Sequence, residues 1–325
     1  MHRREFIAFT ASAVAGSAAG LGPRFPRELG SAPRSGPIDA AAFHASRKFA
    51  RTEFGRIAYV ERGAGPVALF LHGLPLNGFQ WRGALERLSS HRRCIAPDSM
   101  GLGYSEIAEG QNLAPEAQAA MFAAFLDVLA IPSVDLVASD SGGAIAQIFL
   151  ARYPQRARTL LLTNCDVHDD SPPPALRPVI EASRAGTFVD QVLVPQLKDK
   201  ASARATGLGE CCYTNPANPT DEAIECYLRP LASSPRRKAQ FHEYCIALDR
   251  NPLLPIEPAL SRSQTPVRVV WGTGDTIFDP SGPEKLARIF PHFRGARRIE
   301  GAKLFFPEEM PDIIAEEARA LWESA

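Results

Sequence analysis

At 325 residues, with 45% hydrophobic and 22% charged side chains, the chain has the balance of a globular protein able to bury a sizeable core, which excludes disorder over most of its length. Lysine plus arginine and aspartate plus glutamate number 36 each, and no basic stripe carries interleaved aromatics. Nucleic acid and other polyelectrolyte partners are thereby excluded, and a small-molecule substrate of neutral character is expected.

The amino terminus, His2-Arg3-Arg4-Glu5-Phe6-Ile7, places two arginines ahead of an uncharged Ala/Gly-rich run ending at Gly22. Residues 1–22 resemble a Tat export signal, with Ala13-Val14-Ala15 and Ser17-Ala18-Ala19 as alternative peptidase sites. Such a signal implies the Tat export machinery as a partner and a periplasmic or secreted location. Gly16, Gly20 and Gly22 make the run a poor membrane span, so no stable span is expected. Residues 23–46, rich in Pro, Gly, Ser and Arg without apolar periodicity, read as a linker.

Short apolar runs then alternate with amphipathic segments. Residues 67–71, 94–96, 134–138, 159–163 and 267–271 have the pattern of buried strands, and 117–129, 143–152 and 284–289 that of helices. The alternation predicts an α/β class fold: a mostly parallel central sheet with helices on both faces. It stops after Cys165, where Asp169-Asp170-Ser171-Pro172-Pro173-Pro174 opens a stretch of helix formers and proline, and resumes at Thr265-Pro266. The expected organisation is a core in two parts, 47–168 and 259–325, with a mainly helical cap insertion at 169–258, sited where open α/β sheets bind ligands.

Six cysteines show no CxxC or Cys/His spacing of a zinc site, so no metal is expected, and the absence of a phosphate-cradling glycine loop leaves no cofactor implied. In an oxidising compartment Cys211, Cys212, Cys226 and Cys245 are able to supply disulfides to the middle region; buried free thiols are the alternative.

Four segments carry the chemistry in order: His72-Gly73-Leu74-Pro75, Asp98-Ser99-Met100-Gly101-Leu102-Gly103-Tyr104-Ser105, Ser139-Asp140-Ser141-Gly142-Gly143, and Trp271-Gly272-Thr273-Gly274-Asp275. Together they resemble the α/β-hydrolase superfamily over roughly residues 54–322, with an insertion where that fold places its cap. A nucleophile followed by one variable residue and then glycines fits Asp140, as in the haloalkane dehalogenase and epoxide hydrolase branch. Shifting the frame by one residue makes Ser141 the nucleophile of an esterase, and a third reading leaves Asp140 as a helix cap. The resemblance implies that the backbone N–H groups of Leu74 and Ser141 form the oxyanion site, that His72 supports its loop, and that Asp275 orients a histidine, with Asp166 as the alternative acid.

The sequence departs from that branch in several places. The dehalogenase halide-binding tryptophan and asparagine positions hold Ser141 and Leu74, and the arginine of haloacetate dehalogenases is absent. Tyr213, Tyr227 and Tyr244 lie in the insertion as candidates for the proton-donating tyrosines of epoxide hydrolases, or as ordinary packing residues. In Ile299-Glu300-Gly301-Ala302-Lys303-Leu304-Phe305, Lys303-Leu304 stands where the family carries Gly-His. Leucine accepts no proton, so an alkyl ester on Asp140 lacks its ordinary route to hydrolysis. His168, after a strand end, is the candidate for a relocated base, and Lys303 is another. The expectation is hydrolysis of a small apolar alkyl halide, epoxide or ester with atypical or impaired deacylation; the alternatives are a ligand-binding pseudoenzyme and a serine esterase using Ser141.

Overall fold

The computed structural model describes residues 38–324, so the expected export signal and most of the expected linker lie outside the described residues. The last part of that linker is folded. Helix α1 (Ala40–Ala45) is capped by the Asp39 carboxylate, which accepts the Ala42 N–H at 2.7 Å. Phe43 is its buried residue and meets Phe79 edge-on with ring centroids 5.2 Å apart. His44 adds a hydrogen bond to the Tyr104 hydroxyl at 3.0 Å, so a short helix in an unpatterned stretch is held to the body by two side chains of its own.

Eight strands follow: β1 (Lys48–Thr52), β2 (Gly55–Arg62), β3 (Val67–Leu71), β4 (Arg93–Pro97), β5 (Val134–Asp140), β6 (Ala157–Cys165), β7 (Val267–Gly272) and β8 (Phe293–Ile299). They form one sheet in the order β1-β2-β4-β3-β5-β6-β7-β8. The β1–β2 and β2–β4 pairs are antiparallel and all others parallel. The central strands β3 and β5 are buried along their whole length, as a sheet covered on both faces requires.

Helices α2 (Arg82–Leu88), α3 (Pro115–Val128) and α4 (Ser141–Arg152) connect the first strands. Between β6 and β7 the regular elements are helical: α5 (Arg177–Arg184), α6 (Val194–Lys198), α7 (Lys200–Ala205), α8 (Leu208–Cys212), α9 (Asp221–Ala232), α10 (Pro235–Ala247) and α11 (Glu257–Leu260). Helices α12 (Gly282–Ile289), α13 (Phe306–Glu309) and α14 (Pro311–Glu323) complete the fold. No helix among the described residues is long and apolar enough to cross a membrane. All six cysteines are free thiols, the second of the two alternatives left open by the sequence: five are buried, and Cys211 is partly exposed.

Because β3, β5, β6 and β7 run parallel, their carboxyl ends open on the same edge of the sheet. The segments after Leu71, at Asp140, after Cys165 and after Gly272 therefore converge there, where open α/β sheets place their ligands.

Candidate active site

Asp140 ends β5 and immediately precedes α4, with φ 55° and ψ −137°. A non-glycine residue at positive φ pays a backbone cost of about 1–3 kcal/mol, retained only where the surroundings over-determine it. Two close approaches do so here. A Cβ on Gly142 would lie 2.6 Å from the His72 carbonyl oxygen, so only glycine lets α4 start against the β3 loop. A Cβ on Gly73 would lie 2.3 Å from the Asp140 Cβ, so only glycine lets that loop reach the carboxylate.

The Leu74 N–H donates to Asp140 Oδ2 at 3.0 Å and the Ser141 N–H donates to Oδ1 at 2.6 Å. One donor comes from the loop after β3, the other from the first residue of α4, so the carboxylate does more than cap its own helix. Asp140 is 8% exposed. Burial, and next the Asp166 carboxyl, push its pKa up to about 8 against the pull of those two N–H groups. Asp166, hydrogen-bonded to Ser171, is itself pushed up to about 7, chiefly by burial.

His72 accepts the Ser99 N–H on Nε2 at 3.0 Å, which leaves Nδ1–H to donate to the Gly73 carbonyl at 2.9 Å. It is fully buried, and burial lowers its pKa, so the neutral ring braces the loop that carries Leu74. Asp98 braces the same region: its carboxylate accepts the Gly78 N–H at 2.8 Å and the Tyr104 N–H at 2.7 Å.

Asp275 follows β7. Its carboxylate accepts from Asn164 Nδ2 at 2.8 Å and from the Ile277 N–H at 2.9 Å, and burial raises its pKa. Asn164, at the end of β6, also accepts the Gly272 N–H at 2.7 Å and donates to the Gly272 carbonyl at 3.0 Å, tying β6 to β7 beside Asp275. The loop before α13 packs alongside, with the Gly274 N–H donating to the Ala302 carbonyl at 2.9 Å. Leu304 in that loop is buried with its apolar neighbours Phe305 and Phe306. The Phe305 N–H donates to the Cys212 carbonyl at 2.8 Å, which brings the Cys211–Cys212 segment of α8 to the same loop. The carboxyls of Asp140 and Asp275 both act electrostatically on Cys212, so this thiol pair, read from sequence only as disulfide candidates, belongs to the surroundings of the site.

The candidate bases lie elsewhere. His168, at positive φ, sets Nε2 3.0 Å from Glu257 and Nδ1 3.3 Å from Asp169 in a partly exposed cluster. The strand end before it faces the site, but the turn at Val167–Asp170 carries its ring to the surface, which corrects its expected place beside Asp140. Lys303 Nζ donates to the Glu210 carbonyl at 2.5 Å. No described histidine hydrogen-bonds Asp140, Ser141 or Asp275.

The three tyrosines separate. Tyr213 and Tyr227 both donate to Glu308 Oε2, at 2.6 and 2.9 Å, and Arg82 pairs with Glu308 Oε1 at 2.7 Å, so these two rings serve a buried polar network. Tyr244 on α10 places its hydroxyl 3.1 Å from Ser141 Oγ, beside the residue that follows Asp140. Spacing alone does not separate these rings, because the distinction depends on where α9 and α10 land.

This sheet order, with its turn between β5 and α4 and a donor pair on the residue at its tip, defines an α/β-hydrolase fold. The alpha/beta hydrolase fold family matches residues 66–307, and the chain belongs to it. It is 25% identical over 296 residues to haloalkane dehalogenase 2 of Mycobacterium tuberculosis (strain ATCC 25618 / H37Rv), covering 87% of this chain and 94% of that one. A haloalkane dehalogenase of Mesorhizobium japonicum is 42% identical over 107 residues, 31% of this chain and 32% of its own. Among solved structures, the epoxide hydrolase CorEH without ligand superposes with a TM-score of 0.71 at 20% identity, covering 86% of this chain and 98% of that one, a likeness of fold.

Proposed function

We propose that the protein is a hydrolase whose Asp140 carboxylate attacks a small apolar alkyl halide, epoxide or ester held beneath the helical insertion, which serves as a cap. The observation that carries this reading is the Asp140 carboxylate at a positive-φ turn, held by the Leu74 and Ser141 N–H groups. With an alkyl halide, a carboxylate oxygen forms a bond to carbon as the carbon–halogen bond breaks, giving an Asp140 alkyl ester and free halide. With an epoxide, the ring C–O bond breaks instead, and the Tyr244 hydroxyl protonates the released oxygen, a role supported by its contact with Ser141 Oγ at 3.1 Å.

Hydrolysis of the ester needs a water activated by a base. Leu304 offers none, and the imidazole of His168 is engaged with Glu257 and Asp169, so ester release is the slow step. Asp275, braced by Asn164, is the nearest analogue of the family's orienting acid. A second reading, a binding protein without turnover, is supported by the burial of Leu304 in the apolar core. The serine reading lacks such support, because Ser141 Oγ meets the Tyr244 hydroxyl and no imidazole among the described residues.

Intact-mass analysis after exposure to alkyl halides, epoxides and activated esters separates the readings. A persistent adduct on Asp140, absent in Asp140→Asn and released at least about 100-fold faster in Leu304→His, is the expected result. Saturable binding without any adduct or product would replace hydrolysis with the binding reading. For residues 1–22 we propose export through the Tat machinery to the periplasm or beyond, on the strength of Arg3-Arg4 and the uncharged run after them.

A further inference from the structure

A cleft of about 820 Å³ lies on the seam between the sheet domain and the helical insertion, away from Asp140. Its walls come from the β1–β2 hairpin, the loop after β4, and the turn joining α9 to α10. Arg51, Arg56, Arg229, Arg236 and Arg237 line it, against a single carboxylate, Glu106. In a chain whose formal charges balance, this is a local concentration of positive charge rather than a consequence of overall basicity.

Two of the five charges are compensated. Arg56 pairs with Glu106 at 2.6 Å, and Arg229 with Glu225 at 2.5 Å. Arg51 and Arg236 have no ion pair among the described residues. Arg237 is partly balanced by the Asp98 and Glu106 carboxylates and spends its donors on the carbonyls of Gly103 at 2.6 Å, Ser105 at 2.9 Å, Leu102 and Pro230 and on Gln240, so it shapes the wall and adds to the field; Arg236 donates to the Ile107 carbonyl at 2.5 Å, which orients its guanidinium without cancelling its charge. Arg51 is exposed, and its side chain has no hydrogen-bond or ion-pair partner among the described residues. The cleft also receives the start of α10, a 13-residue helix capped by Ser234, whose positive end adds to the field.

We propose that this seam cleft is a binding site for a small soluble phosphate ester or diphosphate. Guanidinium groups match phosphate oxygens in paired geometry, and the cleft is large enough for such an anion with part of its organic group. Both the sheet domain and the insertion contribute arginines, so a bound anion bridges the two. Helix α10 runs from the cleft to Tyr244, about 14 Å along its axis at 1.5 Å per residue, and Tyr244 meets Ser141. Occupancy of the cleft therefore bears on the helix that packs beside Asp140. This inference does not rest on the hydrolase reading.

Calorimetric titration of the full chain with inorganic pyrophosphate, at low and at high salt, tests it. Saturable one-to-one binding is expected, weakened by salt and weakened at least about tenfold in Arg51→Glu/Arg236→Glu. Arg51→Gln alone, at a side chain with no partner among the described residues, is expected to weaken binding with unchanged thermal unfolding. Absence of saturable binding at millimolar pyrophosphate and low salt would overturn the proposal, as would equal affinity in the double variant when it is folded by circular dichroism. Co-sedimentation with phosphatidic acid vesicles without pyrophosphate binding would overturn it in favour of a membrane headgroup.

Discussion

Asp140 combines a costly backbone conformation with a costly ionisation. Its positive φ is held by the packing of Gly73 and Gly142, and burial with the nearby Asp166 carboxyl pushes its pKa up to about 8. A carboxyl protonated at neutral pH is a poor nucleophile, so labelling of Asp140 by an alkyl halide is expected to rise with pH and level off above about 8, as read by initial rates of adduct formation. A flat profile from pH 6 to 9 would show that substrate-free Asp140 is already ionised. The same elevation has a stability consequence of opposite sense. The folded state holds the proton more tightly than the unfolded chain, so the stability this group contributes is complete below the unfolded carboxylate range, near 4, and is lost as pH rises toward about 8. At this scale the sequence was informative, because Asp140, Leu74, Ser141 and Asp275 sit in short motifs whose glycines report close backbone approaches. His168 was misleading for the reason that its turn, rather than its distance from a strand end, decides where the ring points.

At the scale of elements, the Glu308 carboxylate, on the short helix α13, binds two parts of the insertion and one of the sheet domain. It accepts from Tyr213 and Tyr227 and pairs with Arg82, with only 4% of its side chain exposed. Glu308→Gln keeps the shape, removes the charge and leaves Arg82 without its counterion; a loss of about 3 kcal/mol is expected from urea denaturation. A loss well under about 1 kcal/mol would mean the pair behaves as an exposed one. The central strands β3 to β7 were legible as apolar runs because both of their faces are covered. The outer strands β1, β2 and β8 were not. β8 alternates half-buried with exposed positions and carries arginines at 294, 297 and 298, so its strand state depends on pairing with β7 rather than on its own composition. Helix α1 likewise has no apolar period of its own, since Phe43 is its single buried residue.

For the whole molecule, the proposed export has a direct readout. Cell fractionation with intact-mass analysis is expected to find the chain in the periplasm or medium, cut after Ala15 or Ala19, and Arg3→Lys/Arg4→Lys is expected to hold it uncut in the cytoplasm. Equal distribution of both proteins would remove the Tat proposal. Such an outcome would leave the architecture of residues 38–324 untouched. From sequence alone came the alternation of buried strands with helices, the order of the four motifs, the place of the insertion and the leucine at 304, because hydrophobic period and glycine spacing are local properties of a chain. Only the tertiary structure decided which tyrosine stands beside Ser141, that Asn164 braces Asp275, that six cysteines remain thiols, and that arginines nearly 190 residues apart, from Arg51 to Arg237, share one cleft. Those are matters of which faces meet across the fold, and no local pattern encodes them.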